Sequence, residues 1–438
     1  MVTEGTDQLY RMGHFSVDGG ERFPLRLGYE ARLDGGAVID RLARELPPRA
    51  ADLIEIAAMA YAADRLARRP HERRALDGSG WDRHLWLRVP VRDPESWTAA
   101  CPQLTDLLEW LTDDEWELEF CQLPRGAGSL DSPQGFLFDT VPQGAPPALF
   151  SGGLDSAIGL ASTMHERELI AVSVHTNFRM RSTQQRLVRG IAASGNCVHL
   201  QYRISLSEPE CESSQRTRGL VFLAVGIGTA WALGQDRLRV FENGVGAINL
   251  PYLRSQHGSQ ATRSMHPRTL TLAERLAWAV SARPFRIEAP FLLATKAEAV
   301  RSAPGMSARL IAATVSCDTG FAARVSGVSH CGACTSCLLR RHALIAAGRS
   351  DADTATRYRT VRPVNTGALS AMACQADRIK AVLDEPEPWR RMVAEFPTLL
   401  DASPLTPREV TRLYRAYVDE WAAVGPEFWL QPDDRSAA

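Results

Sequence analysis

The stretch from 148 to 160 reads Ala148-Leu149-Phe150-Ser151-Gly152-Gly153-Leu154-Asp155-Ser156-Ala157-Ile158-Gly159-Leu160. A short apolar run breaks into Ser-Gly-Gly-x-Asp-Ser and passes at once into a helix-like pattern. Two glycines allow the backbone to turn tightly and to approach an anion without interference from a side chain. The serines and the N-terminus of the following helix supply hydroxyl and N–H donors for phosphate oxygens. The stretch therefore predicts a strand, a nucleotide-binding loop and a helix.

Asp155 is the acidic residue of this loop. Because its carboxylate and a phosphate are both negative, it fits a nucleotide site only if a cation, most simply Mg²⁺, bridges the two. The loop lacks the Gly-x4-Gly-Lys-Ser/Thr pattern of Ras-type nucleotide hydrolases. It also lacks the Gly-x-Gly-x-x-Gly pattern of dinucleotide-binding proteins. The loop therefore indicates a nucleotide site of a different kind.

The composition limits the classes of function. A chain of 438 residues is long for one hydrophobic core, so we expect two or three domains. The net charge is −1 and no basic block stands out, which gives no support for nucleic-acid binding. No apolar stretch approaches the roughly 20 residues needed to cross a bilayer, and the N-terminus lacks the features of a signal peptide. We expect a cytoplasmic protein without membrane contact.

Residues 1–147 combine strand and helix patterns. Apolar and polar residues alternate in several places in the manner of half-buried strands. The predicted strands are 15–17, 25–33, 84–91 and 116–121. Residues 50–69 carry apolar residues at three- and four-residue spacing, which predicts a helix. We therefore expect an N-terminal α+β domain over 1–147, ending at the proline-containing seam 143–147.

From residue 148 strand and helix patterns alternate. The predicted strands after the loop are 169–175, 198–204 and 238–241, and the predicted helices are 183–193 and 215–233. This alternation predicts an α/β fold with a doubly wound parallel sheet over 148–350. Ligands of such sheets bind beyond the carboxyl ends of the strands, where the glycine loop stands. Residues 351–438 are expected to form a helical extension, with a clear amphipathic helix at 404–423.

A group of cysteines predicts a metal site. Its members are Cys317, Cys331, Cys334 and Cys337. Clustered cysteines in a cytoplasmic protein favour a metal over disulfides. Four thiolates suit a closed, tetrahedral, structural Zn²⁺ site with bonds of about 2.3 Å. An iron–sulfur cluster is the alternative, and His330 and His342 are alternatives to Cys317 as the fourth ligand.

The loop resembles the Ser-Gly-Gly-x-Asp-Ser signature of the PP-loop ATP pyrophosphatase superfamily, whose sheet is of the HUP-like type. The residues implied to bind ATP and its Mg²⁺ are Ser151, Gly152, Gly153, Leu154, Asp155 and Ser156. The resemblance implies that the loop grips the β- and γ-phosphates, that a substrate oxygen is adenylylated with release of pyrophosphate, and that a nitrogen or sulfur nucleophile displaces AMP. By position, it places His175 and Thr176 near the adenosine.

Three further segments resemble the QueC family of 7-cyano-7-deazaguanine synthases, in the same order along the chain. Residues 331–340 are similar to the family's zinc motif, 218–224 to its Arg-x-x-x-Phe helix, and 290–298 to its Pro-x4-Ser/Thr-Lys-x-Glu segment. The resemblance implies zinc at the four cysteines. It also implies a catalytic set, namely Asp155, Ser156, Arg218 and Lys296.

The chemistry of the two cations supports this set. Arg218 begins a long apolar helix, a poor place for a cation unless an anion lies nearby. Lys296 stands at a helical start, where its ammonium can meet phosphate as a point charge.

The family resemblance implies an ATP-dependent ligase that converts 7-carboxy-7-deazaguanine into an amide and then a nitrile with ammonia. A carboxylate is a poor electrophile, whereas its adenylate has AMP as a good leaving group. The chain departs from the family pattern in its N-terminal domain and tail, in a looser zinc spacing, and at Glu242-Asn243-Gly244, where we expect substrate contacts. The enlarged layout resembles the QueC-like protein of Qat anti-phage defence systems. That resemblance implies a protein partner from the same operon, whose amine accepts the deazaguanine through an amide.

Two other functions compete with this interpretation. A tRNA-modifying thiolase of the same superfamily would need a basic RNA-binding surface and a reactive cysteine near the loop. The net charge and the clustering of the cysteines argue against it. A non-catalytic, nucleotide-binding scaffold of a defence complex would have no need of the catalytic set.

Overall fold

The computed structural model describes residues 13–42, 45–69, 82–131, 146–163, 169–192, 197–253, 262–318, 328–361 and 367–430.

The strands are β1 (Gly13–Val17), β2 (Phe23–Leu25), β3 (Ala31–Asp34), β4 (His84–Val91), β5 (Glu115–Gln122), β6 (Pro147–Leu149), β7 (Leu169–His175), β8 (Cys197–Leu206), β9 (Arg237–Arg239) and β10 (Arg286–Glu288). The helices before the glycine loop are α1 (Gly36–Leu42), α2 (Pro48–Leu66), α3 (Pro94–Ala99) and α4 (Cys101–Thr112). Those that follow it, up to residue 313, are α5 (Leu154–Ser162), α6 (Phe178–Ile191), α7 (Arg218–Ala232), α8 (Gly244–Ile248), α9 (Pro267–Ser281), α10 (Lys296–Arg301) and α11 (Ala308–Ala313). The last are α12 (Thr335–Ala346), α13 (Ser350–Ala355), α14 (Gly367–Leu383), α15 (Pro388–Glu395) and α16 (Pro407–Leu430), with a 3₁₀ helix at Pro397–Ala402.

The N-terminal segment forms a four-stranded sheet in the order β2-β1-β4-β5. Strand β1 pairs antiparallel with β2 and β4, and β4 runs parallel to β5. The strands predicted at 15–17, 84–91 and 116–121 are confirmed as β1, β4 and β5, and the helix predicted at 50–69 is confirmed as α2. The single strand predicted at 25–33 is wrong, because a turn separates β2 from β3 and the two strands belong to different sheets. Gly28 takes a left-handed φ of +100° in this turn, and its N–H donates to the Ala31 carbonyl at 2.6 Å.

The second sheet has six strands in the order β10-β9-β6-β7-β8-β3. The five strands from β6 to β10 are parallel, which confirms the predicted parallel sheet. Successive residues of β7 enter two different cores. Ile170 and Val172 pack with Leu223 of α7, whereas Ala171 packs with Ala157 of α5. Helices therefore cover both faces, as in a doubly wound, PP-loop-like fold.

The N-terminal segment also contributes to the second sheet. Strand β3 pairs antiparallel with β8, from Ala31 opposite Leu206 to Asp34 opposite Arg203. Helix α2 packs on α7, and one hydrophobic core contains residues of both. The domain boundary at residue 147 stays a prediction, and the segments before and after it share a sheet and a core.

The C-terminal helices pack on the parallel-sheet region through a third core. This core joins Leu413 and Tyr417 of α16 to Val245 of α8 and Leu338 of α12. The helix predicted at 404–423 is confirmed as α16, which runs on to residue 430 through a non-helical Gly425. Among the helices of the described residues, none has the length and apolar character needed to span a bilayer.

Candidate active site and metal centre

The glycine loop lies where the strand order of the parallel sheet reverses. Strand β6 stands between β7 and β9, so the loop that follows it opens into the crevice at which such sheets bind ligands. Gly152 has a φ of +86°, a conformation that favours glycine. Gly153 is the N-cap of α5 and offers no capping side chain. The first N–H groups of α5 therefore remain available for an anion.

The serines of the loop contact each other across its turn. Ser151 Oγ accepts a hydrogen bond from the Gly153 N–H at 3.2 Å and lies 3.1 Å from Ser156 Oγ. Both hydroxyls face a cleft of about 300 Å³, the lower end of the usual range for small-molecule sites. The cleft is lined by the loop, the end of the β9 segment, residues 262–265, Lys296 and residues near the cysteine cluster.

Asp155 and Lys296 form a buried ion pair in this cleft. The Lys296 ammonium lies 2.6 Å from each carboxylate oxygen of Asp155, and Asn243 Nδ2 donates to Asp155 Oδ2 at 2.8 Å. Burial alone would raise the pKa of Asp155, but the Lys296 charge and the hydrogen bonds hold it below its ordinary value. Asp155 is therefore ionised in this arrangement.

Lys296 is positioned by the start of α10. Thr295 and Glu298 form a reciprocal capping box, which fixes the first turn of this helix. The chain contains only two lysines, Lys296 and the exposed Lys380, so lysine is a rare residue type in this protein and one of the two lies at this site. A compact ammonium suits a place close to both a carboxylate and phosphate oxygens.

Glu242 is a second carboxyl group in the cleft. It lies in hydrogen-bond contact with Asp155. Burial and the Asp155 charge raise the pKa of Glu242 to about 8, although the Lys296 charge partly opposes them. Carboxylate oxygens are the donors that Mg²⁺ prefers, so Asp155 fits the expected metal, and Glu242 would fit it after losing its proton.

The sequence marked Glu242-Asn243-Gly244 as a place for substrate contacts but assigned these residues no role. Their signal was their position directly after the fourth parallel strand. The structure places Glu242 and Asn243 against Asp155, so both belong to the site.

Arg218 is not brought into the cleft. It begins α7, but its guanidinium donates to Gln215 Oε1 at 3.3 Å and lies 5.3 Å from the Phe222 ring centre. The next residue, Gly219, abuts Ser264, which does line the cleft. The start of α7 thus supports the cleft wall, and a catalytic role for Arg218 stays a prediction.

His175 also lies outside this cleft. It ends β7, is buried, and lines a separate pocket between α6 and β8. Burial and the nearby Arg181 lower its pKa. A contact between His175 and adenosine stays a prediction.

The N-terminal segment holds one wall of the cleft in place. Asp113, after α4, accepts hydrogen bonds from Arg216 at 3.1 Å and from Arg263 at 2.5 Å. The Trp110 ring lies 4.4 Å from the guanidinium carbons of both Arg263 and Arg268. These contacts fix residues 262–265 beside the nucleotide loop.

The four cysteines form a compact cluster. The sulfur atoms of Cys317, Cys331, Cys334 and Cys337 all lie within 4.8 Å of one another. The Cys331 and Cys337 sulfurs are 3.9 Å apart, close to the roughly 3.8 Å expected of a tetrahedral zinc site with bonds of about 2.3 Å. In a four-iron cluster each thiolate binds a different iron, which spreads the sulfurs more widely. The donor set therefore fits a single ion such as Zn²⁺.

The two alternative ligands have other contacts. His330 Nε2 accepts a hydrogen bond from the Ser316 N–H at 3.2 Å, and Nδ1 lies 2.9 Å from Ser329 Oγ. The His342 ring stacks on Trp421 with 4.5 Å between the ring centres. The geometry therefore favours Cys317 as the fourth ligand.

The cysteine segment also forms part of the cleft. Ser316, Thr335, Ser336 and Leu339 line it, and the neighbouring Val315 N–H donates to the Gly152 carbonyl of the glycine loop at 2.9 Å. A metal bound by the cysteines would hold this wall.

The comparisons with known proteins agree with this geometry. The family described as "Queuosine biosynthesis protein QueC" matches residues 217–348. A 7-cyano-7-deazaguanine synthase from Anaeromyxobacter sp. (strain Fw109-5) is 30% identical in an alignment of length 235 that covers 46% of this chain and 92% of the relative. This chain belongs to the QueC family. A second such synthase, from Methylobacillus flagellatus, is 28% identical in an alignment of length 232 that covers 48% of this chain and 94% of the relative. Over half of this QueC-family chain therefore lies outside the part that matches.

Proposed function

We propose that this QueC-family chain is an ATP-dependent ligase that activates the carboxylate of a 7-deazaguanine by adenylation. The observation that carries the proposal is the glycine loop at the reversal of the parallel sheet, with the buried Asp155–Lys296 pair beside it. The relatives with the printed name 7-cyano-7-deazaguanine synthase support the substrate class. We take 7-carboxy-7-deazaguanine as the substrate.

The loop residues would bind the β- and γ-phosphates of ATP. The backbone N–H groups of α5 and the hydroxyls of Ser151 and Ser156 are suitable donors. Asp155 and Glu242 would hold Mg²⁺, which supplies positive charge next to the phosphates. Lys296 would stabilise the negative charge that develops on the phosphates during the reaction.

The reaction has two displacements. An oxygen of the substrate carboxylate attacks the α-phosphorus, the bond between the α-phosphorus and the bridging oxygen breaks, and pyrophosphate leaves. A nitrogen nucleophile then attacks the carbonyl carbon of the adenylate, loses a proton, and AMP leaves. The products are an amide, AMP and pyrophosphate. With ammonia as nucleophile, activation of the amide by a second ATP would lead to the nitrile.

We further propose that the acceptor is an amine of a protein partner, as in the Qat-type defence systems that the layout resembles. Over half of this chain lies beyond the part that matches the synthases, and these added segments brace the cleft through Asp113 and through Glu420 of α16. Glu420 Oε1 accepts a hydrogen bond from Thr295 Oγ1 at 2.6 Å. The cysteine cluster would hold Zn²⁺ in a structural role.

The lining of the cleft argues against the thiolase alternative. Among the described residues that line the cleft there is no cysteine. Sulfur transfer through the protein would need a thiol within reach of the activated carbon. A nitrogen nucleophile has no such requirement.

Adenylation is tested by its products. The protein is incubated with ATP, Mg²⁺ and 7-carboxy-7-deazaguanine, with ammonium as acceptor, and AMP, ADP and pyrophosphate are measured. We expect AMP and pyrophosphate in equal amounts, dependent on the acid. ADP as the product would contradict adenylation, and so would an absence of pyrophosphate both with ammonium and with the protein encoded next to this chain as acceptor. Lys296→Met should remove turnover, whereas Lys380→Met, the other lysine, should retain it.

The acceptor is tested by mass spectrometry. Replacing ammonium by the protein encoded next to this chain should give that protein a discrete mass increase equal to the deazaguanine acyl group. A nitrile formed from ammonia with no change in the neighbour's mass would overturn the protein acceptor and leave the adenylation intact.

A further inference from the structure

Helix α6 carries a row of arginines without a compensating acidic residue. They are Arg179, Arg181, Arg186 and Arg189, and all four are exposed. The first and the last are ten positions apart, which is about 15 Å along the helix. The whole chain has a net charge of −1, so this is a local concentration of positive charge.

Strand β8 extends this basic surface. His199, Gln201 and Arg203 stand at alternate positions of β8 and line a pocket of about 470 Å³ beside α6. Arg181 and Arg189 line the same pocket. Asp34 is the sole acidic residue among the described residues that line it, and it accepts a hydrogen bond from the Gly36 N–H.

The basic residues that line this pocket outnumber the acidic ones. Arg181, Arg189 and Arg203 line it together with Asp34, which stands opposite Arg203 where β3 pairs with β8. By contrast, Arg92 in the N-terminal segment contacts three carboxylates. The described residues that line the pocket therefore carry a net positive charge.

A buried histidine provides a second indication of a ligand. His175 lines the pocket and is 93% buried, with 7% of its surface exposed. Its ring is in hydrogen-bond contact with the Tyr202 backbone, but its Nδ1 atom has no partner that meets hydrogen-bond geometry among the described residues. Buried polar atoms are normally satisfied, so this atom is explained if a bound group completes the site.

The pocket also has an exposed aromatic residue. Phe178 lines it, and 75% of the residue's surface is exposed. The Arg181 guanidinium lies 6.0 Å from its ring centre. An exposed ring beside arginines is a platform on which a nucleobase can stack.

We propose that the pocket between α6 and β8 binds a single-stranded nucleic acid through its phosphates. Arg181, Arg189 and Arg203 contact the backbone, and a base stacks on Phe178. A protein partner would favour an apolar centre, whereas this pocket is lined mainly by arginine, histidine and glutamine. Interfaces with nucleic acids are more polar and more positively charged.

The pocket is adjacent to the proposed ATP cleft but separated from it by Gln184. The Gln184 amide donates to the Ser151 carbonyl at 3.1 Å, and its Oε1 accepts a hydrogen bond from Gln201 Nε2 at 3.0 Å. Gln184 and the glycine loop would therefore separate a ligand in the pocket from the ATP cleft. Binding in the pocket does not require ATP to leave.

The proposal is tested by fluorescence anisotropy of a labelled 20-nucleotide oligo-dT with the full-length protein. At 50 mM salt we expect saturable binding that weakens steeply at 200 mM, because phosphate contacts release counterions. The triple variant Arg181→Ala, Arg189→Ala and Arg203→Ala should bind at least about tenfold more weakly and with a shallower salt dependence. The matched control changes three exposed arginines at the opposite edge of the sheet, Arg275, Arg283 and Arg286, to alanine and should bind like the unaltered protein.

Four results would overturn the proposal. The first is an absence of binding, or equal binding by the two triple variants. The second is displacement of the oligonucleotide by saturating ATP, which would assign the pocket to the nucleotide cleft. The third is equally strong competition by polyglutamate, which would indicate an acidic protein segment. The fourth is a change of oligomeric mass in the pocket variant, which would make the face a contact between copies of the chain.

Discussion

The nucleotide cleft and the cysteine cluster lie side by side, but different forces hold them. In the cleft, Asp155 and Lys296 come from distant parts of the chain and neutralise each other. In the cluster, the thiols come from a short stretch and Cys317, and all four sulfur atoms lie within 4.8 Å of one another. The comparison is consistent with the proposed division of roles, in which the cleft carries the chemistry and the cluster stabilises the wall beside it.

The largest effect is expected from removing one cysteine of the cluster. Cys331→Ser should abolish binding of the metal and lower the free energy of unfolding by on the order of 5 kcal/mol, because a structural metal site contributes directly to folding. Metal content by elemental analysis and thermal unfolding measure this change.

Cys374→Ser is the matched control, since Cys374 is exposed and lies outside the cluster. It should alter neither metal content nor melting temperature. A Cys331→Ser protein with full metal content would contradict the cluster's assignment, and iron with acid-labile sulfide in the unaltered protein would contradict zinc.

The second largest effect is expected in the cleft. Asp155→Asn keeps the shape of the side chain but removes its charge, so the rate of pyrophosphate release should fall about 100- to 1,000-fold. In this variant Lys296 loses its anionic partner Asp155, and the neighbouring Glu242 can replace that partner by losing its proton. The melting temperature should therefore fall far less than in Cys331→Ser. Steady-state kinetics and calorimetry on the same sample separate the two effects.

The exposed Asp384→Asn serves as the control for a lost carboxylate and should leave the rate unchanged. If Asp155→Asn lost stability as strongly as the cysteine variant and kept its activity, the contrast between the two regions would be reversed.

A third test uses pH to examine the packing behind the cluster. Burial lowers the pKa of His342 to about 4, below the roughly 6.5 of an exposed histidine. The unfolded state therefore binds more protons than the folded state between these values, and stability decreases as the pH falls. When the pH falls from 7 to 5, this histidine should lower the free energy of unfolding by about 2 kcal/mol.

His342→Gln should remove that part of the loss, which is measured by denaturant unfolding at both pH values. Pyrophosphate release at pH 7 should not change, because His342 stacks on Trp421 rather than lining the cleft. An identical pH dependence of stability in the variant would show that His342 is not buried in its neutral form.

The smallest effect is expected from the N-terminal support of the cleft. Asp113→Asn keeps a residue that tolerates the φ of +56° at this position but weakens the ion pairs to Arg216 and Arg263. The KM for the acid should rise about threefold to tenfold, and kcat should change less than twofold. This corresponds to a loss of about 1 kcal/mol of substrate-binding free energy.

Asp236→Asn removes a similar ion pair at an exposed site and should leave KM unchanged. An unaltered KM in Asp113→Asn would mean that residues 262–265 keep their position without this contact.

The sequence was informative where local chemistry decides the structure. The turn at Gly152, the parallel strand β7 and the spacing of the last three cysteines depend on residues close to one another in the chain. Alternation, helical periodicity and glycine positions report such local preferences. The strand predicted at 25–33 failed because alternation alone does not reveal a left-handed turn at Gly28.

The site was predicted in part. The loop and Lys296 follow from motifs, and the structure brings them together. Three other features depend on how distant elements pack. They are the direction of the Arg218 side chain, the contact between Glu242 and Asp155, and the basic pocket at α6 and β8. A net charge of −1 also conceals a basic face, because charge counts carry no positions.

By itself, the sequence determined the nucleotide loop, the alternating α/β pattern and the cysteine motif, since each arises from neighbouring residues. Only the tertiary structure decided that β3 completes the second sheet, that Cys317 joins the cluster, and that Glu242 lies against Asp155. The physical reason is that strand pairing, burial and charge pairing join residues far apart in the chain, and their energies depend on distances that the sequence does not contain.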